Sequence, residues 1–175
     1  MIRAIRRVDR KLTKKIQALP KSIRQLMNAV SFLGEPLLIL SIGLAGFISA
    51  AVRHQTHIEH AFAYAAIAFA ISTALKLTLR RARPDDLDIR TFGVRSYSFP
   101  SGHAFGTVIF YGLFSYLDLK YLIKPWNLLV GLGLWLLIAL IGVSRVYLKT
   151  HYPSDVLGGW LLGLVSLLVV VKLAF

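Results

Sequence analysis

Cysteine is absent from this chain of 175 residues, which excludes a disulfide framework and any thiolate metal site and leaves the redox compartment open. No secretory leader is legible at the start. Basic residues recur as far as Arg24 without an early apolar core or a small-residue cleavage site, so these residues are expected on the mature protein. Acids are scarce as well: eight Asp and Glu stand against 21 Lys and Arg, a formal net charge of +13. What fills the chain instead is apolar. Hydrophobic residues make up 56% and the mean hydropathy is +0.63, which together with so high a charge excludes an ordinary soluble domain of this length. The composition is that of a small integral membrane protein.

Five apolar stretches are separated by short polar turns: Pro36 to Val52, Ala61 to Leu75, Ala104 to Leu117, Trp126 to Val143, and Val156 to Val171. Crossing a hydrocarbon core takes ~20 residues of helix, so the shorter runs must draw in flanking polar residues, as helices inside a bundle can. The expected fold is all-α, a polytopic membrane bundle of about five transmembrane helices over residues 33–175, preceded by an arm over residues 1–32. Glycines within the runs, such as Gly43, Gly112, Gly159 and Gly163, read as close helix contacts. The arm carries nine basic residues and one acid, Asp9, while Ile2, Ile5, Val8, Leu12, Ile16 and Leu19 recur at spacings of three and four. That pattern predicts an amphipathic helix lying on an anionic leaflet. Because the arm runs directly into a span, lipid rather than nucleic acid is its expected partner.

Three polar clusters each fall at the end of a predicted span. In KLTLRRARP, Lys76 and Arg83 are seven residues apart, two helical turns, so both can project from one face of a helix that Pro84 ends. In SFPSGHAFG, Ser101 can cap a helix beginning near Gly102, whose free amides form an anion site. In SRVYLKTHYPSD, Arg145 closes the fourth span, Pro153 fits the first turn of the fifth, and His151 and Asp155 flank that helix start. Counting spans puts all three clusters on one side of the membrane. Together they supply three cations, helix-start amides, two imidazoles and a carboxylate. This inventory suits a phosphoryl group, with cations and amides on its oxygens, one imidazole attacking phosphorus and the other protonating the leaving oxygen.

Lys, six residues, Arg-Pro; then Pro-Ser-Gly-His; then Ser-Arg, five residues, His, three residues, Asp: in this order the chain resembles the type 2 phosphatidic acid phosphatase family at Lys76 to Pro84, Pro100 to His103, and Ser144 to Asp155. Every signature position matches. The resemblance implies His151 as the nucleophile that forms a phosphohistidine, Asp155 as its orienting carboxylate and His103 as the general acid. It further implies that Lys76, Arg83, Ser101, Gly102 and Arg145 hold the phosphate oxygens, with no metal and no cofactor. Family members often have six spans, whereas the region ahead of the first span here is too charged to cross. Phosphatidic acid, phosphatidylglycerophosphate, lipid A phosphates and polyprenyl phosphates or diphosphates all fit such a site. A soluble sugar phosphate, or a non-catalytic anionic-lipid-binding role, are the alternatives.

Taken singly, each of these residues has a plainer reading: a lone histidine packs or caps, and a lone cation near a span end is a snorkelling anchor. The joint spacing outweighs that reading for the signatures and not elsewhere. His54, His57 and His60 read as a polar interfacial turn on the opposite face. Asp85, Asp86 and Asp88 read as ion-pair partners of Arg80, Arg81 and Arg90, and Tyr147 and Tyr152 as interfacial packing. The excess of basic residues on the side shared by arm and signatures predicts a cytoplasmic catalytic face in a multi-pass cell-membrane protein, although resemblance to relatives acting at the outer face pulls the other way.

Overall fold

The computed structural model describes residues 2–84, 90, 91 and 94–175. Its elements are α1 (Ile2–Gln17), a 3-10 turn (Lys21–Ile23), α2 (Arg24–Leu33), α3 (Pro36–Val52), α4 (Thr56–Leu79), the two-residue strands β1 (Arg90–Thr91) and β2 (Val94–Arg95), α5 (Gly102–Tyr121), α6 (Trp126–Tyr147) and α7 (Pro153–Ala174). The strands pair antiparallel, Arg90 opposite Arg95. Each expected apolar run lies within one of α3 to α7. Four of the helices are longer than the runs, because polar residues such as Lys76 and Arg145 are taken into their last turns.

Three helices are long and apolar enough to cross a membrane by length and composition: α4, α6 and α7. The pair Lys21–Leu33 and Pro36–Val52, bent by 42° at Gly34 and Glu35, makes a fourth if it counts as one span. The expected count of five is therefore not reached by these measures. The reason lies in α5, whose 20 residues include His103, Thr107, Ser115, Asp118 and Lys120. This helix occupies the centre of the bundle, buried from His103 to Leu113. Phe105, Ile109, Phe110 and Leu113 pack there with Ile39 of α3, Phe62 of α4 and Leu167 of α7. Surrounded by protein, α5 does not need lipid-facing apolar residues all round. The outer helices do, and Ile71, Leu132 and Leu168 are among the side chains they leave exposed.

Two glycines let α7 lie against α5 with backbone nearly touching backbone. A Cβ on Gly159 would come 2.7 Å from the Ser101 carbonyl oxygen, and one on Gly163 would come 2.8 Å from Val108 Cβ. This close crossing brings the start of α7 to the start of α5, and with it Asp155 to Ser101, whose amide donates to the Asp155 carbonyl at 3.0 Å.

The arm is not one continuous helix. α1 stops at Gln17 ahead of Pro20, and α2 packs back on the bundle with Met27 and Ser31 buried. α1 itself sits on the signature-bearing end: Ile16 packs with Ala104, Val146 and Val156, and Gln17 Nε2 donates to the Val146 carbonyl at 3.3 Å. Ile5, Val8 and Leu12 stay exposed.

Candidate active site

The lysine of the first signature stands on α4, but its arginine does not. α4 ends at Leu79, where Arg80 takes the left-handed conformation at φ 47° and its amide closes onto the Lys76 carbonyl. The expectation that the helix runs to Pro84 and presents both cations from one face is thus corrected. Arg83 reaches the site from the segment beyond the helix, with Nε on the Ser96 carbonyl at 2.9 Å, Nη2 on Ser96 Oγ at 3.0 Å and Nη1 on the Thr150 carbonyl at 2.9 Å. Burial pushes the Arg83 pKa down from its ordinary value.

The second signature builds a helix start. Ser101 caps α5, its Oγ accepting from the Ala104 amide at 3.4 Å. A Cβ on Gly102 would stand 3.0 Å from Lys76 Nζ, so the absence of a side chain there is what lets the ammonium approach the free amides of α5. In the first turn of α5, His103 Nε2 lies 3.2 Å from Glu35 Oε2, in the bend between α2 and α3.

The third signature folds back on the end of α6. The amides of Thr150 and His151 both donate to the Arg145 carbonyl, at 3.1 and 3.2 Å, and Thr150 Oγ1 joins them at 2.9 Å. Lys149 makes the reversal possible with φ 62°. The loop holds His151 buried, with Arg83 Nη1 3.3 Å from its Nε2. A guanidinium only donates, so Nε2 carries the lone pair and Nδ1 the proton. Burial pushes the His151 pKa down to about 3, with Arg83, Lys76 and Arg145 adding to the fall and Asp155 opposing it. Three cations therefore surround one neutral imidazole.

Nδ1 of His151 faces Asp155 Oδ2 at 3.7 Å, longer than a hydrogen bond, and Ser98 Oγ at 3.5 Å. The Ser98 hydroxyl donates to the same Oδ2 at 2.5 Å, and the Tyr152 amide donates to it at 2.8 Å. On Oδ1, Arg81 Nη1 donates at 2.6 Å. Arg145 Nη1 donates to Ser31 Oγ, while its Nε is buried without a partner among the described residues. An orphaned guanidinium donor beside two other cations is a site prepared for an anion.

The structure brings together all eight residues read from the signatures. Four of their partners, Ser31, Glu35, Arg81 and Ser98, and Asp9 behind them are site residues that sequence reasoning misses. Arg81, paired by sequence with the Asp85 to Asp88 cluster, spans Asp9 and Asp155; Asp85, Asp86 and Asp88 lie outside the described residues. Tyr152 lies under the Arg81 guanidinium at 4.7 Å, and Tyr147 donates to the Pro20 carbonyl at 3.0 Å. The far-side His57 meets the Ala174 carbonyl at 2.9 Å.

Residues 58–175, more than half of the chain, match the PAP2 superfamily. The chain belongs to that family. Among curated PAP2-like relatives, it is 34% identical over 102 residues to phosphatidylglycerophosphatase B of Bacillus subtilis, covering 57% of this chain and 49% of that protein. To a lipid A 1-phosphatase of Rhizobium etli it is 31% identical over 103 residues, covering 53% and 40%. The match thus spans about half the length of these relatives or less. The crystal structure of a transmembrane PAP2-type phosphatidylglycerolphosphate phosphatase from Bacillus subtilis superposes with a TM-score of 0.82 at 25% identity, over 97% of this chain and 86% of that one.

Proposed function

We propose that the chain is a multi-pass cell-membrane phosphatase that hydrolyses a phosphomonoester or diphosphate on a lipid through a phosphohistidine on His151. The observation that carries this reading is the His151 Nε2 lone pair, buried at the meeting point of Lys76, Arg83 and Arg145. Nε2 attacks phosphorus, the P–N bond forms as the P–O bond to the lipid breaks, and His103 gives its proton to the departing oxygen. The Glu35 carboxylate, 3.2 Å from His103 Nε2, holds the ring in place for this step. Water then attacks the phosphohistidine and yields its proton to His103; the P–N bond breaks as the new P–O bond forms, which releases phosphate and restores His151 as the neutral imidazole and His103 as the imidazolium. Asp155 and Ser98 keep the proton of His151 on Nδ1, and the α5 amides with the three cations carry the charge on phosphorus oxygens.

A lipid substrate is favoured by an apolar groove of about 380 Å³ between α4 and α7. It is lined by Ser72, Leu75 and Phe105 near the cations and by Val165, Val169 and Leu173 farther along. Leu75 adjoins Lys76, so a chain lying in the groove would bring its headgroup to the site. The names of the curated relatives point the same way. In this reading α3 to α7 are the five spans and the arm lies on the surface of an anionic leaflet.

The test is phosphate release by purified protein in detergent, with EDTA present, from polyprenyl diphosphate, phosphatidylglycerophosphate, phosphatidic acid, lipid A and glucose 6-phosphate. Turnover of at least one lipid is expected. Turnover of the sugar phosphate alone would assign a soluble substrate, and activity lost in EDTA and restored by magnesium would turn the Asp85 to Asp88 cluster into a metal site.

A further inference from the structure

The arm's single carboxylate is buried against the catalytic end instead of facing the basic residues around it. Asp9 Oδ1 accepts from the Ser154 amide at 2.9 Å, and Oδ2 accepts from the Ser154 hydroxyl at 2.7 Å and from Arg81 Nη2 at 2.9 Å. The other end of the same guanidinium, Nη1, donates to Asp155 Oδ1 at 2.6 Å and to Ser154 Oγ at 2.8 Å. One arginine therefore joins a carboxylate of the amphipathic helix to the carboxylate beside His151.

A helix that only lies on lipid has no use for a buried acid, since taking a carboxylate out of water is costly unless it is paired. Here three hydrogen bonds and the positive end of α7 offset that cost, which ties Asp9 to this one place. Arg81 needs the tie. Its side chain is 29% exposed, whereas Asp155 is fully buried. Without Asp9 the guanidinium keeps Asp155, Ser154 Oγ and the Tyr152 ring, but its Nη2 is free and has open water to turn into. Asp155 would then keep Ser98 and the Tyr152 amide on Oδ2 but lose the charged partner on Oδ1. Asp9 also lies outside the stretch that matches the PAP2 superfamily, which starts at residue 58.

We propose that Asp9 and Arg81 are positioning residues for catalysis: the docked arm locks the Arg81 fork onto Asp155, and Asp155 so held keeps His151 in the attacking tautomer and orientation. This rests on the phosphatase reading. It makes the arm part of the machinery and not merely an anchor.

The test uses the full chain in detergent with whichever lipid phosphate the wild type hydrolyses best. Asp9→Asn is expected to lower kcat about tenfold while KM and inhibition by inorganic phosphate stay at wild-type values, because Lys76, Arg83 and Arg145 still form the phosphate cradle. On an Asp155→Asn background the same change is expected to cost little more, since the path it acts through is already broken. Arg81→Lys keeps the charge but cannot bridge both carboxylates, and it is expected to show the same split should Asp9→Asn fold poorly. Wild-type kcat in both variants, equal losses on both backgrounds, or a loss shared by KM and phosphate inhibition would overturn the proposal. An active wild type with an unaffected Asp9→Asn defeats this inference alone; a wild type inactive on every lipid defeats the phosphatase reading and this one with it.

Discussion

At one end of the bundle His151, Asp155, Ser98 and Arg83 are buried and bound to one another; at the other, His54, His57, His60 and Lys120 are exposed. Both ends draw on histidine and basic side chains. The far-end groups are exposed and make isolated contacts, such as Lys120 Nζ over the Phe175 ring at 4.1 Å. Only His54 stands in the expected turn; His57 and His60 stand near the start of α4 and Lys120 in the last turn of α5, polar helix ends that stay in water. At the signature-bearing end the same chemistry is taken out of water, and its cations are left with more donors than the protein satisfies. Arg145 Nε has no partner among the described residues, and Lys76 is held against a helix start that is itself a donor. What separates a site from a surface here is burial with an incomplete set of partners, not residue type.

The largest break between the two ends is expected from histidine removal. His103→Ala should slow cleavage of a lipid phosphate by on the order of 10²-fold or more, and far less for an activated aryl phosphate whose leaving group needs little protonation. His57→Ala should leave both rates unchanged. Equal losses on both substrates would reduce His103 to a binding role, and a loss at His57 would erase the distinction drawn between the ends.

A smaller effect concerns stability against pH. His151 is held neutral, its pKa about 3 against an ordinary 6.5. The unfolded chain therefore binds a proton that the folded one refuses. The stability contributed is present above about 6.5 and is lost progressively as pH falls toward about 3. Thermal unfolding in detergent should show a steeper fall in Tm over this window for the wild type than for His151→Asn. Parallel curves would mean that His151 is not buried as described.

The residues of the three signatures were legible in the sequence because fixed spacings mark them, and the helices because apolar runs do. The supports were not. Asp9 and Ser154 are 145 positions apart, and no periodicity links them. The one signal was a lone acid among nine bases in the arm, which reads as a minor charge until burial shows otherwise. Ser98 and Glu35 likewise acquire meaning only from the crossing of α5 with α7 and the bend at Gly34. The end of α4 was misplaced for a related reason: Pro84 is a visible stop, while the turn at Arg80 depends on a left-handed residue that sequence does not announce. Asp155 shows how local and distant demands merge, since its Oδ2 accepts the Tyr152 amide at the start of α7 and faces His151 at once.

The proposed chemistry turns on a covalent bond between His151 and phosphorus. Rapid quenching into base of wild-type protein mixed with a lipid substrate labelled in its phosphate tests it directly, since a phosphohistidine survives base and is lost in acid. The wild type should carry an acid-labile label that turns over with the rate of phosphate release, and His151→Ala, folded and at equal concentration, should carry none and be slowed by about 10⁴-fold or more. Label on His151→Ala, or wild-type phosphate release from that variant, would contradict it.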